Sequence, residues 1–175
     1  MSVTGRMMRG VRSHSVVSSP LGDLTLVAED GALTRVAMQT SRHGPPTGEL
    51  GERDDAALAE AARQLREYFA RERTVFDLPL APAGDEFKQR VWRLLREIPY
   101  GETRSYGELA RALGDVNLSQ AVGVANGRNP LAVVVPCHRV IGADGSLVGY
   151  AGGLDRKRQL LALEEPEETR AARLF

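Results

Sequence analysis

Cysteine is almost absent from this chain: Cys137 stands alone among 175 residues. A single thiol excludes an intramolecular disulfide and any zinc site built from several cysteines. It also makes a reducing, cytoplasmic setting the expected one. Histidine is scarce too, and of the three residues His14 and His43 are isolated and read as surface or loop side chains. No apolar run approaches the roughly 20 residues that a membrane helix requires. Met1 to Gly10 is polar and lacks the apolar stretch of a signal peptide. Net charge is missing as well, with 23 Lys and Arg against 23 Asp and Glu, so the total gives no hint of a polyanionic partner. What is left is the composition of an ordinary globular protein, 42% hydrophobic and 26% charged, long enough for one domain or two small ones.

The balanced total hides an asymmetry. From Lys88 to Leu163 there are 11 Lys and Arg against six Asp and Glu, a local net of +5. Such an excess suits a polyanion, although a merely solvated basic face has the same composition.

The first half reads as an α/β unit spanning 1–80. Leu24, Leu26, Leu33 and Val36 lie in two short runs either side of Glu29-Asp30-Gly31, and Asp-Gly between such runs signals a hairpin. Gln39 to Arg53, rich in Gly, Pro and charge, reads as a mobile surface loop. Asp54 is expected to cap a helix with the apolar stripe Leu58, Ala61, Leu65, Tyr68 and Phe69. Val75 to Leu80 has the pattern of an edge strand stopped by Pro79. No chemistry is visible in this half.

Ala81-Pro82-Ala83-Gly84 reads as a linker, and 85–175 as a mostly helical second domain. Asp85 or Glu86 opens a helix with Phe87, Val91, Leu94, Leu95 and Ile98 on one side, and Pro99 ends it. Ser105-Tyr106-Gly107-Glu108 is a capping-box pattern, followed by Leu109, Ala110 and Leu113 and a stop at Gly114. Asn117 and Gln120 suit the start of a further helix, with Ala121, Val122 and Ala125 facing inward. Two short helices around a Gly-containing turn have the shape of a helix-turn-helix, which ordinary helical hairpins share. The second helix is poor in bulk, with Ala121, Gly123, Ala125 and Gly127. Glycine costs roughly 1 kcal/mol in a helix interior relative to alanine. It makes sense where a backbone closely approaches a neighbouring element or a groove in DNA.

Leu131 to Val135 is a continuous apolar run, expected to be a buried strand ending at Pro136-Cys137-His138-Arg139-Val140. An isolated cysteine is most often inert core. Here it follows a rigid base, and a histidine and an arginine adjoin it, groups that lower a thiol's pKa and raise its thiolate fraction. Adjacent side chains of an extended chain point to opposite faces. For His138 to activate Cys137, the chain must therefore bend at Pro136 or a water must bridge them.

Pro136-Cys137-His138-Arg139-Val140-Ile141-Gly142 resembles the active-site motif of the O6-alkylguanine-DNA alkyltransferases. The flanking Ile98-Pro99-Tyr100-Gly101-Glu102-Thr103, Ser105-Tyr106, Ala121-Val122-Gly123, Asn129-Pro130, Gly149 to Gly153 and Leu160 to Glu164 are similar to that family as well. The match runs from about Phe87 to Glu164. The first half matches more loosely, through Ser19 to Leu26 and Tyr68-Phe69. The resemblance implies a ribonuclease H-like α/β domain followed by a helical domain with a winged-helix-like helix-turn-helix. That motif would dock in the minor groove of double-stranded DNA while the damaged guanine is swung into a pocket. It implies direct reversal of damage: an alkyl group passes once, irreversibly, from the O6 of guanine (O4-alkylthymine being a further candidate) to Cys137. No cofactor and no metal are implied.

By the same resemblance His138 is the base acting through a water, Glu164 the carboxylate that orients it, Tyr106 a proton donor to the leaving guanine, and Asn129 the brace of the active-site turn. Ser105, Tyr106, Ser119, Gln120, Ala121, Gly123 and Arg128 would meet DNA. Val140, Tyr150, Ala151, Gly152 and Gly153 would line the pocket, with the backbone of Cys137 and Val140 accepting from the guanine amine. The sequence departs from the family at Gln120, where an arginine usually fills the gap left by the extruded base, and Arg128 or Arg111 are candidates to assist. The zinc site of some members is excluded for want of cysteines. Two other readings stand beside this one: a non-catalytic alkylated-DNA-binding protein or helix-turn-helix regulator, and a Cys-His hydrolase. The first lacks a reactive cysteine; the second would turn over.

Overall fold

The computed structural model describes residues 10–39 and 50–173. The first unit is a four-stranded sheet and one helix. Strands β1 (Arg12–Val17), β2 (Leu24–Glu29) and β3 (Ala32–Met38) form an antiparallel meander, and β4 (Glu52–Arg53) pairs with β1 in parallel, giving the order β3-β2-β1-β4. The β2–β3 hairpin forms where Asp-Gly predicts it. Asp30 and Gly31 both have positive φ, 52° and 82°, the pair of conformations that a tight turn matched to strand twist demands. The expected surface loop lies mostly outside the described residues, and so does His43. Its described end is not loop, because Glu52 and Arg53 pair with Ser13 and His14. His14 is half-buried on β1, its Nδ1 3.0 Å from the carbonyl of Gly51.

Two other expectations need correction here. Asp54 caps a turn, accepting from the amide of Ala57 at 3.0 Å, and α1 (Ala59–Phe69) begins only at Ala59, five residues beyond Asp54. The stripe that α1 buries is Ala61, Ala62, Gln64, Leu65 and Tyr68. Val75 to Leu80 is not a strand: among the described residues its only ladder contact is a single bridge from Leu80 to Leu33. Proline at 79 has no N–H to give, and the Gln64 amide takes both backbone groups of Asp77, at 2.8 and 2.9 Å.

The second half follows its sequence signals closely at the start. Asp85 caps α2 (Glu86–Arg96) by accepting from the Lys88 amide, and Ser105 and Glu108 close the capping box of α3 (Tyr106–Ala112). The next turn is a 3₁₀ turn, Val116–Leu118, capped by Asp115 rather than Asn117. Helix α4 (Ser119–Gly127) follows, pinned to α2 where the Trp92 indole donates to the carbonyl of Ala125 at 2.9 Å. Val122, Ala125 and Asn126 are its buried residues; Ala121 is exposed, since only that i, i+3, i+4 set shares the inner face. Short strands β5 (Arg104–Ser105) and β6 (Val140–Ile141) pair in parallel, and α5 (Leu154–Glu164) and α6 (Glu167–Arg173) close the chain.

Leu131 to Val135 is buried but is not a strand. Only Leu131 bridges, to Val36 of β3, and the chain then coils so that the amide of Val135 donates to the carbonyl of Leu131 at 2.9 Å. Val133 sits at φ 71°, a left-handed conformation costly for a β-branched residue. One apolar core runs through both halves, from Val17 and Leu65 to Val122 and Leu160.

Candidate active site

The coiled segment delivers Cys137 to the first position of a 3₁₀ turn, Cys137–Arg139, so the chain does bend directly after Pro136. Asn129 holds that coil from within. Its Nδ2 donates to the carbonyls of Val135 at 2.8 Å and Leu131 at 3.4 Å, while its Oδ1 accepts from the Leu131 amide at 3.0 Å. Asn126, from the last turn of α4, donates to the carbonyl of Cys137 at 3.3 Å. The backbone that carries the thiol is thus fixed by two asparagine side chains.

Cys137 is 6% exposed. The expectation that its neighbours would lower its pKa is not met. Burial dominates and pushes the thiol up; a hydrogen bond from Asn129 and the charge of Lys157 pull it partly back. Arg139 does not help because it is spent elsewhere. Its Nε and Nη2 each donate at 2.8 Å to the two oxygens of Glu164, its Nη1 donates to the carbonyl of Ile98, and it lies over the Tyr100 ring.

His138 is fully buried, with Nε2 2.7 Å from Glu164 Oε1. Burial lowers the imidazole's affinity for a proton, and Glu164 opposes that only in part. Burial also raises the Glu164 carboxyl, yet hydrogen bonds from His138 and Arg139 outweigh it and hold the group at about 2. An ionised carboxylate only accepts, so a neutral His138 carries its proton on Nε2. Nδ1 is then a lone-pair acceptor, and among the described residues it has no hydrogen-bond partner.

The cleft over Cys137 is walled by the end of α4 (Asn126 to Pro130), by Gly149 to Gly152 and by Arg35 to Met38 of β3. A Cβ on Gly152 would stand 2.5 Å from Met38 Sδ, so glycine there lets β3 back the wall. Tyr150 brings a buried hydroxyl with no partner among the described residues. Gly153 opens α5 at φ 92°. Tyr106 lies at the mouth, its hydroxyl donating to the carbonyl of Val148 at 3.0 Å and its ring against Gly123. Burial, then the proximity of Cys137, keeps its phenol above the usual range, where it is a donor.

Lys157 was not singled out from sequence, where a lysine in a charged helix reads as a solvated face. It is wholly buried, and Nζ donates to the carbonyls of Val140 at 2.6 Å, Val148 at 3.0 Å and Gly149 at 3.4 Å. It ties the cleft wall to β6 and takes one lone pair of the Val140 carbonyl. Arg139 and Lys157 therefore belong to the interior and drop out of the basic surface read from composition. Outside the cleft, Gln120, Ala121 and Val124 are exposed along α4, Ser119 is half-buried, and Ser105 uses its oxygen as the cap of α3; Arg128, in the cleft wall, is exposed as well. Val124, 59% exposed, was missed as a member of this face. The first half, read as free of chemistry, supplies both the β3 wall and Tyr68, whose hydroxyl donates to Glu164 Oε1 at 2.6 Å.

Among the described residues no group of three or more His, Cys, Asp or Glu side chains is placed to hold a metal ion, and no helix is long and apolar enough to cross a membrane.

Two family models match the chain in tandem: 6-O-methylguanine DNA methyltransferase, ribonuclease-like domain, over residues 13–82, and 6-O-methylguanine DNA methyltransferase, DNA binding domain, over residues 86–166. The chain is 51% identical over 162 residues to a methylated-DNA–protein-cysteine methyltransferase of Mycolicibacterium paratuberculosis, covering 93% of this chain and 98% of that protein. It is 47% identical to the protein of that name in Methanosarcina acetivorans, covering 86% and 97%. A crystal structure of Mycobacterium tuberculosis OGT in complex with DNA superimposes with a TM-score of 0.82 at 48% identity, covering 87% of this chain and 92% of the other.

Proposed function

The chain belongs to the 6-O-methylguanine DNA methyltransferase family, and from that premise we propose that Cys137, His138, Glu164, Tyr106 and Asn129 form its alkyl-transfer site. The protein is a methylated-DNA–protein-cysteine methyltransferase that repairs O6-alkylguanine in DNA by direct reversal, taking the alkyl group onto its own cysteine. The observation that carries the site is the tethering of His138 through Nε2, which leaves Nδ1 as a lone-pair acceptor on the residue next in the chain to the single thiol.

In the step we propose, the thiol proton passes to His138 Nδ1 through a water, and the sulfur lone pair attacks the alkyl carbon in line. The S–C bond forms as the C–O6 bond breaks, with the electron pair going to the purine. Tyr106, kept as a hydroxyl by burial, donates to that developing charge. Glu164 steadies the imidazolium that results. The thioether has no leaving group that would restore the thiol, so one molecule repairs one lesion. A thiol that burial keeps protonated at rest is spared from other electrophiles until a base occupies the cleft. A cytoplasmic setting keeps such a lone thiol reduced. The division at 81–84 is supported by the positions of the two family matches.

Incubation with excess duplex containing O6-methylguanine is expected to add one methyl group per protein, on the peptide holding Cys137, by mass spectrometry. Unmodified protein bound to the lesion would instead mark a non-catalytic lesion binder, and continued turnover a hydrolase.

Salt gives a second expected result. The exposed Arg90, Arg93, Arg96, Arg111, Arg128 and Arg158 remain available to phosphate. Each phosphate neutralised contributes about −0.9 to the slope of log affinity against log salt. With two or three engaged, affinity for duplex should fall on the order of tenfold from about 50 to about 200 mM salt. A binding constant indifferent to salt would turn those arginines away from DNA.

Gln120 stands exposed on α4, the position from which a side chain fills the gap left by a flipped base. Its amide hydrogen-bonds but has neither charge nor a stacking plane. Gln120→Arg is expected to raise the single-turnover rate on duplex about fivefold, the effect of roughly 1 kcal/mol in the flipped state. Reaction with free O6-benzylguanine, which needs no extrusion, should stay within about twofold of wild type. Equal acceleration on both substrates would put Gln120 in the chemistry; no change on duplex would make Arg128 the residue that fills the gap.

A further inference from the structure

Oxygen Oε1 of Glu164 receives three donors: Tyr68 Oη at 2.6 Å, His138 Nε2 at 2.7 Å and Arg139 Nη2 at 2.8 Å. Among the described residues the other oxygen receives only Arg139 Nε. Tyr68 comes from α1, 96 residues away in sequence, and both it and His138 are 0% exposed. Its ring is locked by edge contacts with Phe69 and Tyr100 and a tilted contact with Phe76, so the hydroxyl has little freedom to leave the carboxylate. A carboxylate oxygen offers about two lone-pair sites, so three donors on one oxygen compete for it and each weakens the bond made by the others. Burial and the adjacent carboxylate hold the Tyr68 phenol far above its ordinary range, so it remains a donor at every working pH.

We infer that Tyr68 is a positioning residue of the alkyl-transfer reaction: by competing for Glu164 Oε1 it restrains the carboxylate's pull on His138 and keeps the imidazole neutral. The α/β half of the chain is then part of the catalytic relay as well as a wall of the cleft. Among the described residues the other titratable groups around the pair are Cys137 and Arg139 on the 3₁₀ turn, Lys157 on α5, Tyr150 in the cleft wall, Tyr100 after α2 and Arg71 beyond α1. Arg139 and Lys157 disfavour a charged His138, and Glu164 alone among those named favours it. Loss of one donor to Glu164 therefore shifts the balance toward imidazolium. The gap left by one phenolic oxygen is too small to admit a water with the partners it needs.

Tyr68→Phe tests this. Its deficit should depend on pH, because a His138 that holds its proton to higher pH is lost as a base on the acid side only. Single-turnover transfer is expected to be about tenfold slower than wild type near pH 6 and within about twofold near pH 9. The acid limb would move up by about one unit. The ring-carbon resonance of His138 should titrate at higher pH in the variant than in wild type. The proposal rests on His138 being the base. The ring titration needs no alkyl transfer, so a wild-type protein that fails to transfer sinks that reading and leaves the titration to decide this one. A rate ratio constant across pH, an unmoved His138 titration, or a Tyr68→Phe chain that no longer folds or binds duplex would each make Tyr68 a packing residue and overturn the inference.

Discussion

Replacement of Cys137 by serine is expected to reduce methyl transfer at least about 10³-fold while leaving affinity for lesion-containing duplex within about threefold of wild type. The two outcomes separate because they rest on different elements. The nucleophile sits 6% exposed at the base of the cleft, whereas Gln120, Ala121, Val124 and Arg128 lie exposed along and just beyond α4. Burial already makes the thiol hard to ionise, and a hydroxyl in the same place is far harder. His138, whose proton affinity burial lowers, is too weak a base to ionise a hydroxyl as it can a thiol, even with Glu164 behind it. Serine fits the space, and the Asn129 bonds to Leu131 and Val135 do not involve the sulfur, so the coil from Leu131 to Val135 should persist. Intact mass after incubation with methylated duplex and fluorescence anisotropy on the same duplex measure the two outcomes. Methyl transfer surviving in the serine variant would remove Cys137 from the centre of the reaction. Loss of duplex affinity would mean that the thiol holds the fold together.

The residues that could be read from sequence share one property: their signals are local. The Asp30-Gly31 turn, the Asp85 cap, the capping box of Ser105 and Glu108 and the stop at Gly114 each depend on neighbours within four positions. The family motif from Pro136 to Gly142 was legible for the same reason. Where several structures fit one local pattern, sequence reading chose the commoner. A run of Leu and Val suits a buried strand and a buried coil equally, and nothing in Leu131 to Val135 announces the positive φ of Val133. That conformation is held by Asn129, whose bonds to Leu131 and Val135 are made only once the coil exists.

Illegible residues were those whose role is decided at long range. Tyr68 reads as one more apolar position in a helical stripe, and only packing brings it to a carboxylate 96 positions on. Lys157 sits between Arg156 and Arg158 in a helix with no clear apolar face, a pattern of solvated charge, yet its ammonium closes three carbonyls inside the protein. Arg139 was counted toward a basic surface and toward thiol activation, and its bidentate pairing with Glu164 removes it from both. A clue existed for Tyr68 and Arg139, the partners of Glu164. A buried carboxylate such as Glu164 needs cations or several donors, and the candidates nearest the motif were Arg139 and Lys157. Sequence alone does not say which of them is taken.

Glu164→Gln should be the most damaging single change that leaves the nucleophile in place. Glu164 is 1% exposed and receives four hydrogen bonds, three of them on Oε1. A glutamine carbonyl placed at Oε1 can keep Tyr68, His138 and Arg139 Nη2. Its amide nitrogen then faces Arg139 Nε, donor against donor. More costly is the charge: Arg139, 6% exposed, would keep the neutral carbonyls of the glutamine and of Ile98 and the Tyr100 ring, but no anion, around a buried guanidinium. Breaking a buried pair from one side costs about 3–5 kcal/mol, a large share of a total stability of about 5–15 kcal/mol. The sign with pH follows from the carboxyl, which folding lowers from 4.5 to about 2. A depressed carboxyl contributes stability that is complete above its unfolded value and is lost as pH falls through the folded one. The gap between wild type and variant in urea unfolding should therefore be full at neutral pH and narrow from about pH 4.5 toward pH 2. At neutral pH the folded fraction of the variant should also transfer methyl on the order of 10²-fold more slowly, because His138 loses the charge that stabilises its protonated form during transfer. A variant within about 1 kcal/mol of wild type, or a gap that stays constant down to pH 3, would show that Glu164 is not the ionised centre of this site.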